Sequence, residues 1–85
     1  MPVIRDLTVL VELTNKRIPI REIDSTVTAQ NLLTSLAEKI NLPARTKGVL
    51  TRKLTHRQIL PNQTLGDAGV EDNETLIADF ERTAG

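Results

Sequence analysis

The chain has 85 residues, which suits one small domain and leaves no room for a second. Its formal net charge is zero, with 11 basic and 11 acidic residues, which disfavours broad nucleic-acid binding because phosphate contacts need a surplus of cations. The absence of cysteine excludes disulfides and thiolate chemistry, and no apolar run approaches the roughly 20 residues of a membrane span.

Two segments near the N-terminus predict a β-hairpin. Residues 7–13 alternate with the period of a strand that buries one face. A polar turn follows, in which Asn15 suits the left-handed conformation, and residues 18–23 predict the second strand. Pro19 cannot donate a ladder hydrogen bond, so we expect this strand at a sheet edge.

The next segment predicts an amphipathic helix over residues 29–40. Thr28 precedes it as an N-cap, and apolar residues recur on one helical face. Asn41 suits the left-handed conformation at the end of the helix, and Pro43 prevents its continuation. The apolar stripe therefore needs a sheet to cover.

The second half of the chain predicts three strands and one crossover. The strands cover residues 48–52, 57–60 and 75–80, and residues 64–70 form a turn-rich crossover with Leu65 and Val70 as its anchors to the core. A helix between a hairpin and further strands is typical of an α+β fold.

The residues that follow the second strand of this half resemble the end of ubiquitin. Residues 63–85 align with it without a gap, and the stretch Leu-Gly-Asp-Ala-Gly-Val at 65–70 is also characteristic of the bacterial YukD/EsaB-like branch. The positions that coincide with ubiquitin are Thr64, Leu65, Asp67, Thr75, Leu76 and Gly85. The chain thus resembles the ubiquitin-like β-grasp family over residues 6–85. This implies an α+β fold with a mixed four- to five-stranded sheet and one helix packed across one face.

The resemblance also divides the chain and gives its end a role. We expect residues 1–80 to form the β-grasp domain and residues 81–85 a flexible C-terminal tail. The spacing from Leu76 to Gly85 equals that in ubiquitin. In conjugated family members a separate ATP-dependent enzyme adenylates the terminal carboxylate, which is then passed to a nucleophile as an activated ester.

Conjugation implies a role for each residue at the end of the tail. Gly85 would form the isopeptide bond, and it suits this role because the lack of a Cβ leaves its carbonyl open to approach. Arg82, Thr83 and Ala84 would position the tail in the activating enzyme. Ala84 departs from the family pattern, since most conjugated and sulfur-carrying members have a second glycine there.

The last strand predicts a docking surface. Leu76, Ala78 and Phe80 alternate onto one face, so Ile77 and Asp79 occupy the positions that contribute to the apolar patch of ubiquitin. Asp79 places a charge where an apolar residue is expected, so partners that bind the ubiquitin patch should bind poorly here. The alternative is that Asp79 is an ordinary solvent-facing residue.

Charge is unevenly distributed along the chain. Residues 39–66 hold six basic and no acidic residues, whereas residues 67–85 hold six acidic residues and one basic residue. This pattern favours a basic surface for an acidic enzyme, or head-to-tail self-association, and a merely solvated surface is the alternative. The candidate partner-binding face consists of Ile77, Asp79, Arg52, Lys53 and Arg57.

Catalysis by the chain itself finds no support in the sequence. It offers no nucleophile–base pair, and His56 has no carboxylate near it in sequence. The spacing of Asp67, Asp72 and Glu74 fits no calcium loop. We therefore expect a protein that is not an enzyme and holds no cofactor or metal. The N-terminus lacks the apolar region of a signal peptide, so we expect a cytoplasmic location.

Three functions are consistent with these features. The first is a prokaryotic ubiquitin-like modifier, in a conjugation-like pathway that resembles antiphage operons. Its partners would be an activating enzyme, a transfer enzyme, target proteins and, for a longer precursor, a processing peptidase, without membrane or nucleic acid. The second is a non-covalent YukD/EsaB-like module that regulates a specialised secretion system. The third is a sulfur carrier, which Ala84 disfavours.

Overall fold

The computed structural model describes residues 3–41 and 47–80. These residues form five strands and one helix in the order strand, strand, helix, strand, strand, strand. The elements are β1 (Val3–Val11), β2 (Lys16–Asp24), α1 (Ala29–Lys39), β3 (Gly48–Arg52), β4 (Gln58–Ile59) and β5 (Thr75–Phe80).

The five strands form one sheet in the order β2-β1-β5-β3-β4. β1 runs antiparallel to β2 and parallel to β5, and β3 runs antiparallel to both β5 and β4. The buried side of α1 and the buried sides of the strands belong to one hydrophobic core. The expected α+β fold, a mixed sheet with one helix across one face, is therefore confirmed.

β1 differs from its predicted bounds of residues 7–13, since it starts four residues earlier and ends two residues earlier. Ile4 and Leu7 are both buried, although strict alternation would place residues three apart on opposite faces. Asp6 lies between them with φ 57°, and this left-handed residue breaks the alternation. The periodic pattern could not reveal the strand beyond that break.

The hairpin turn and the sheet edge confirm two predictions. Asn15 has φ 54°, and its backbone N–H donates to the carbonyl of Glu12 at 3.3 Å to close the turn. β2 lies at one edge of the sheet, as Pro19 indicated. It extends beyond the predicted residues 18–23, because Lys16 and Asp24 also pair with β1.

The predicted signals bound the helix. The hydroxyl of Thr28 accepts a hydrogen bond from the backbone N–H of Asn31 at 3.2 Å, which satisfies one of the free donors of the first turn. Asn41 has φ 61° just after the helix, as predicted, and Pro43 lies outside the described residues. In the part of the chain that the structure describes, no helix is long and apolar enough to cross a membrane.

α1 packs its apolar stripe against the sheet. Ile40, the C-cap residue, is half-buried beside it. The buried residues of the helix are Ala29, Leu32, Leu33, Leu36 and Ala37. Each buried leucine contributes about 1.5–3 kcal/mol relative to an exposed one.

The crossover is tied to the start of the helix. Leu65 is fully buried, and its backbone N–H donates to the carbonyl of Val27 at 3.0 Å. Gly66 donates in the same way to the carbonyl of Ser25 at 2.9 Å. Leu65 and Val70 are therefore both buried anchors, as predicted.

β3 has its predicted bounds, whereas β4 is shorter than the predicted residues 57–60. The backbone N–H of Leu60 donates to the side-chain oxygen of Gln63 at 3.3 Å instead of to a strand. This side-chain bond diverts the backbone from the ladder after Ile59.

Gly48 and Phe80 face each other across β3 and β5, at the end of the last strand. A Cβ at position 48 would lie 2.8 Å from Cδ1 of Phe80 and 3.2 Å from Cδ2 of Leu33. Both neighbours are buried, so neither can move away freely. The absence of a side chain at Gly48 thus lets the ring of Phe80 close the core.

The substitution Gly48→Ala should lower the free energy of unfolding by about 1–3 kcal/mol, because it overpacks this contact. Urea denaturation measures the change, and the loss should shrink when Phe80→Leu is also present. The matched control is Val49→Ala, whose side chain is exposed in the same strand and whose effect should stay below about 1 kcal/mol. An equal cost of Gly48→Ala in both backgrounds would contradict the packing argument.

Candidate interaction face

On the side of the sheet away from α1, the described residues contribute no second helix, and we call this side the outer face. Within β5, Leu76, Ala78 and Phe80 are buried in the core, whereas Ile77 is half-buried and Asp79 is exposed. Since successive strand residues point to opposite sides, Ile77 and Asp79 lie on the outer face. The residues of the outer face at its centre are Thr8, Leu10, Val49, Thr51, Thr75, Ile77 and Asp79.

Strand register places an apolar pair at the centre of the outer face. Leu10 lies opposite Ile77 across the β1–β5 pair, and Thr51 lies opposite Ile77 across the β3–β5 pair. All three are half-buried, and Arg17 and Gln58 extend this row to the two edges of the sheet. The row is small and only partly apolar, because Thr51 follows Leu10 and Ile77 at its centre.

Asp79 borders the apolar pair on one side. It lies opposite Val49, which is 37% exposed. A partner that covers Ile77 and Val49 must therefore bring a hydrogen-bond donor or a cation to Asp79. The prediction that Ile77 and Asp79 face outward agrees with their positions in β5.

Arg52 does not join the outer face. It has the same strand parity as the buried Leu50, and its guanidinium forms an ion pair with Glu74 and donates to the carbonyl of Ala68 at 3.0 Å. The side chains of Arg52 and Glu74 are 14% and 8% exposed. The other carboxylate oxygen of Glu74 accepts the backbone N–H of Glu71 at 3.0 Å. Arg52 thus holds the loop before β5 against β3 and is not free to bind a partner.

Lys53 and Arg57 lie on opposite sides of the sheet. Lys53 continues the β3–β5 ladder with a 3.1 Å bond from its N–H to the carbonyl of Thr75, and its parity places it on the outer face. Arg57 pairs with Arg52 through a 2.9 Å backbone bond and lines a hollow beside Asp67 on the other side. The structure therefore brings Ile77, Asp79 and Lys53 onto the outer face but not Arg52 or Arg57.

The sequence patterns did not predict two features of the site. Leu10 and Thr51 belong to the outer face, and alternation could have revealed them, since Leu10 lies between the inward Val9 and Val11. The ion pair between Arg52 and Glu74 joins residues 22 positions apart and follows no periodic pattern.

The tail residues Arg82, Thr83, Ala84 and Gly85 lie outside the described residues. The point from which the tail starts is well defined, because Phe80 is buried against Gly48 and Leu33. β5 is also a central strand, paired with β1 on one side and β3 on the other. Gly85 therefore lies five positions after Phe80, which is fixed in the core.

The fold has known relatives among solved structures, whereas neither a protein-family model nor a curated protein sequence matches the chain. It is similar to the ubiquitin of Caldiarchaeum subterraneum, with a TM-score of 0.76 and 18% identity, over 95% of this chain and 98% of that one. It is also similar to a designed protein based on ubiquitin, with a TM-score of 0.73 and 13% identity, over 96% and 93% of the two chains. The chain therefore has the ubiquitin-like β-grasp fold, as the sequence resemblance implied. The YukD/EsaB-like and conjugation-type assignments stay predictions.

Removing one member of the Arg52–Glu74 pair should destabilise the fold. Glu74→Gln leaves the arginine charge largely buried without its counter-ion, and we expect a loss of about 2–4 kcal/mol, slightly below the range for fully buried pairs. Urea denaturation measures this loss, with Glu71→Gln as the control on an exposed neighbour. The double variant Arg52→Met with Glu74→Leu should lose less free energy of unfolding than the sum of the losses of Arg52→Met alone and Glu74→Leu alone. Additive single and double costs would contradict the assigned pairing.

Proposed function

We propose that the chain is a ubiquitin-like protein modifier, attached to target proteins through the carboxyl group of Gly85. The observation that carries the proposal is the ubiquitin-like fold combined with Gly85 at the ubiquitin spacing from Leu76. Buried Phe80 fixes the last strand, so a partner enzyme that grips the β-grasp body can place the tail in register. The body then acts as the recognition element, and Gly85 supplies the reacting carbonyl.

The chemistry belongs to separate enzymes. An ATP-dependent activating enzyme forms the acyl adenylate of Gly85 and releases pyrophosphate. A nucleophile displaces AMP to give an activated ester, and the amine of a target lysine then displaces that nucleophile and loses a proton to form the isopeptide bond. Where the polypeptide continues past Gly85, a peptidase first exposes this carboxyl group. The chain itself contributes no catalytic group and no cofactor in this proposal.

The outer face supplies the other half of the proposed role. Leu10 and Ile77 offer a small apolar centre, and Asp79 beside them selects partners with a complementary donor. Lys53 adds a cation at the border of the same face. We expect the activating or transfer enzyme to bind here, in the cytoplasm, without a membrane or nucleic acid.

Proteolysis of conjugates gives a specific signature for this proposal. Trypsin cleaves after Arg82, so a target lysine should retain the tripeptide Thr83-Ala84-Gly85 on its side-chain amine. We expect mass spectrometry to find this remnant on proteins that co-purify, under denaturing conditions, with an N-terminally tagged chain expressed in its host. The remnant should disappear when Gly85 is deleted, while Ala84→Gly should leave conjugation intact and change the remnant to Thr-Gly-Gly.

The same purification distinguishes the second candidate, a non-covalent interaction module. The half-buried Leu10–Ile77 pair favours it, because an outer face can bind a partner without any tail chemistry. If no lysine carries the remnant and a native-state partner persists after deletion of Gly85 but is lost with Ile77→Ser, the modifier proposal is wrong and the module is supported. A sulfur carrier stays a weaker proposal, since Ala84 replaces the usual second glycine.

A further inference from the structure

The free edge of β2 has a self-complementary pattern of backbone groups and charges. β2 lies at the sheet edge, so within residues 3–41 and 47–80 the backbone groups that point away from β1 have no strand to bond. Its first half carries the cations Lys16 and Arg17, and its second half carries Arg21 followed by the anions Glu22 and Asp24. An antiparallel copy of the same strand would therefore meet it with opposite charge at both ends.

Hydrogen bonds of β1 show which β2 residues point to the free edge in the first half of β2. The N–H of Thr8 donates to the carbonyl of Glu74 at 3.0 Å, so the backbone of Thr8 faces β5. Thr8 and its opposite residue Pro19 therefore form a non-hydrogen-bonded pair, and Pro19 faces the free edge. By alternation Arg17 also faces the free edge.

The direction reverses in the second half of β2. The N–H of Arg5 donates to Oδ1 of Asp72 at 2.8 Å, and the carbonyl of Arg5 accepts from Asn73 at 2.9 Å, so Arg5 also faces away from β2. Its opposite residue Glu22 consequently faces the free edge, and Asp24 follows by alternation. The register pairs Arg5 with Glu22 and Leu7 with Ile20 but leaves Asp6 and Arg21 without a Cα partner, so the alternation breaks at this point in both strands, and Asp6 is left-handed.

The edge-facing residues are thus spaced two, three and two positions apart, which reads the same in both directions. We propose that two copies of the chain pair antiparallel through β2, with Arg17 opposite Asp24 and Pro19 opposite Glu22 of the second copy. The two-fold axis passes between Ile20 and Arg21. In this register the N–H groups of Glu22 and Asp24 donate to the carbonyls of Pro19 and Arg17 of the second copy. By the two-fold symmetry, Glu22 and Asp24 of the second copy donate to Pro19 and Arg17 of the first.

Backbone direction and charge both favour this register over the neighbouring registers. Aligning Arg17 with Glu22 would place Pro19 opposite Ile20, whose backbone groups already face β1. Aligning Glu22 with itself would oppose two carboxylates. The missing N–H of Pro19 and the charged residues thus disfavour pairing of β2 with other strands, while they allow pairing with a second copy of β2.

Asp24 is already held in place for this contact. Its Oδ1 accepts from the backbone N–H of Thr26 at 3.0 Å and from the Thr26 hydroxyl at 2.9 Å. The backbone hydrogen bond, followed by the hydroxyl bond, holds the pKa of the Asp24 carboxyl below its ordinary value. Its carbonyl is used by Val27 at 3.1 Å, so only its N–H is free for the second copy.

Charge reversal across the two-fold axis tests the proposal by sedimentation equilibrium. The interface is small, so association is weak and must be followed up to about millimolar protein concentration. Arg17→Glu opposes Asp24 twice in the dimer and should raise the dissociation constant at least about tenfold. Asp24→Arg should do the same, and an equimolar mixture of the two variants should associate again, because each interface then pairs opposite charges.

The matched control is Arg57→Glu, which makes the same charge change on an exposed residue beyond the opposite edge of the sheet. It should leave the dissociation constant unchanged. If Asp24→Arg prevents folding, Asp24→Asn keeps an acceptor for Thr26 and gives the same pattern with smaller amplitude. A chain that stays monomeric at millimolar concentration, an equal effect of Arg57→Glu and Arg17→Glu, or a mixture of folded variants that stays monomeric would overturn the proposal.

Amide hydrogen exchange supplies an independent readout on the unaltered chain. The amides of Glu22 and Asp24 should gain protection as concentration rises, whereas those of Ile18 and Ile20, which face β1, should not change. The pairing needs only residues 16–24, so it should survive deletion of Gly85. Failure of the modifier proposal and failure of this one are therefore distinguishable.

Discussion

β5 pairs with β1 on one side and with β3 on the other, and the described residues are arranged around this one strand. A strand with neighbours on both sides must satisfy two ladders, and its alternating side chains must serve the core on one side and the outer face on the other. Leu76, Ala78 and Phe80 meet the first demand, and Ile77 and Asp79 meet the second. One six-residue strand thus fixes the core, the candidate interaction face and the point from which the tail starts.

The Arg52–Glu74 pair secures the approach to that strand. It clamps the loop before β5 to β3 and also orders the loop through the bonds to Ala68 and Glu71. A largely buried ion pair adds little net stability compared with apolar packing, but it costs much to break, so it specifies one arrangement of the loop. The same ion pair neutralises Arg52, one of the six basic residues in residues 39–66. The net charge of that stretch is therefore larger than the positive charge it presents on the surface.

Sequence patterns predicted most of the fold, because its signals are local. The cap at Thr28, the left-handed Asn15 and Asn41, and the edge strand at Pro19 each depend on one residue and its neighbours. The interaction face was predicted only in part, since alternation identifies Ile77 and Asp79 but cannot show that Arg52 turns inward to a carboxylate 22 residues away. The early start of β1 was missed because Asp6 interrupts the period on which the prediction rested.

The proposed function divides recognition by a rigid body from chemistry at Gly85, and activation of the chain by its enzyme tests this division. The chain is incubated with ATP and the activating enzyme of its own host, and the intact mass of that enzyme is followed. We predict a covalent adduct that forms with the chain and fails to form when Gly85 is deleted, although the shortened chain keeps its fold. An adduct that persists without Gly85, or the absence of any adduct with the intact chain, would contradict it.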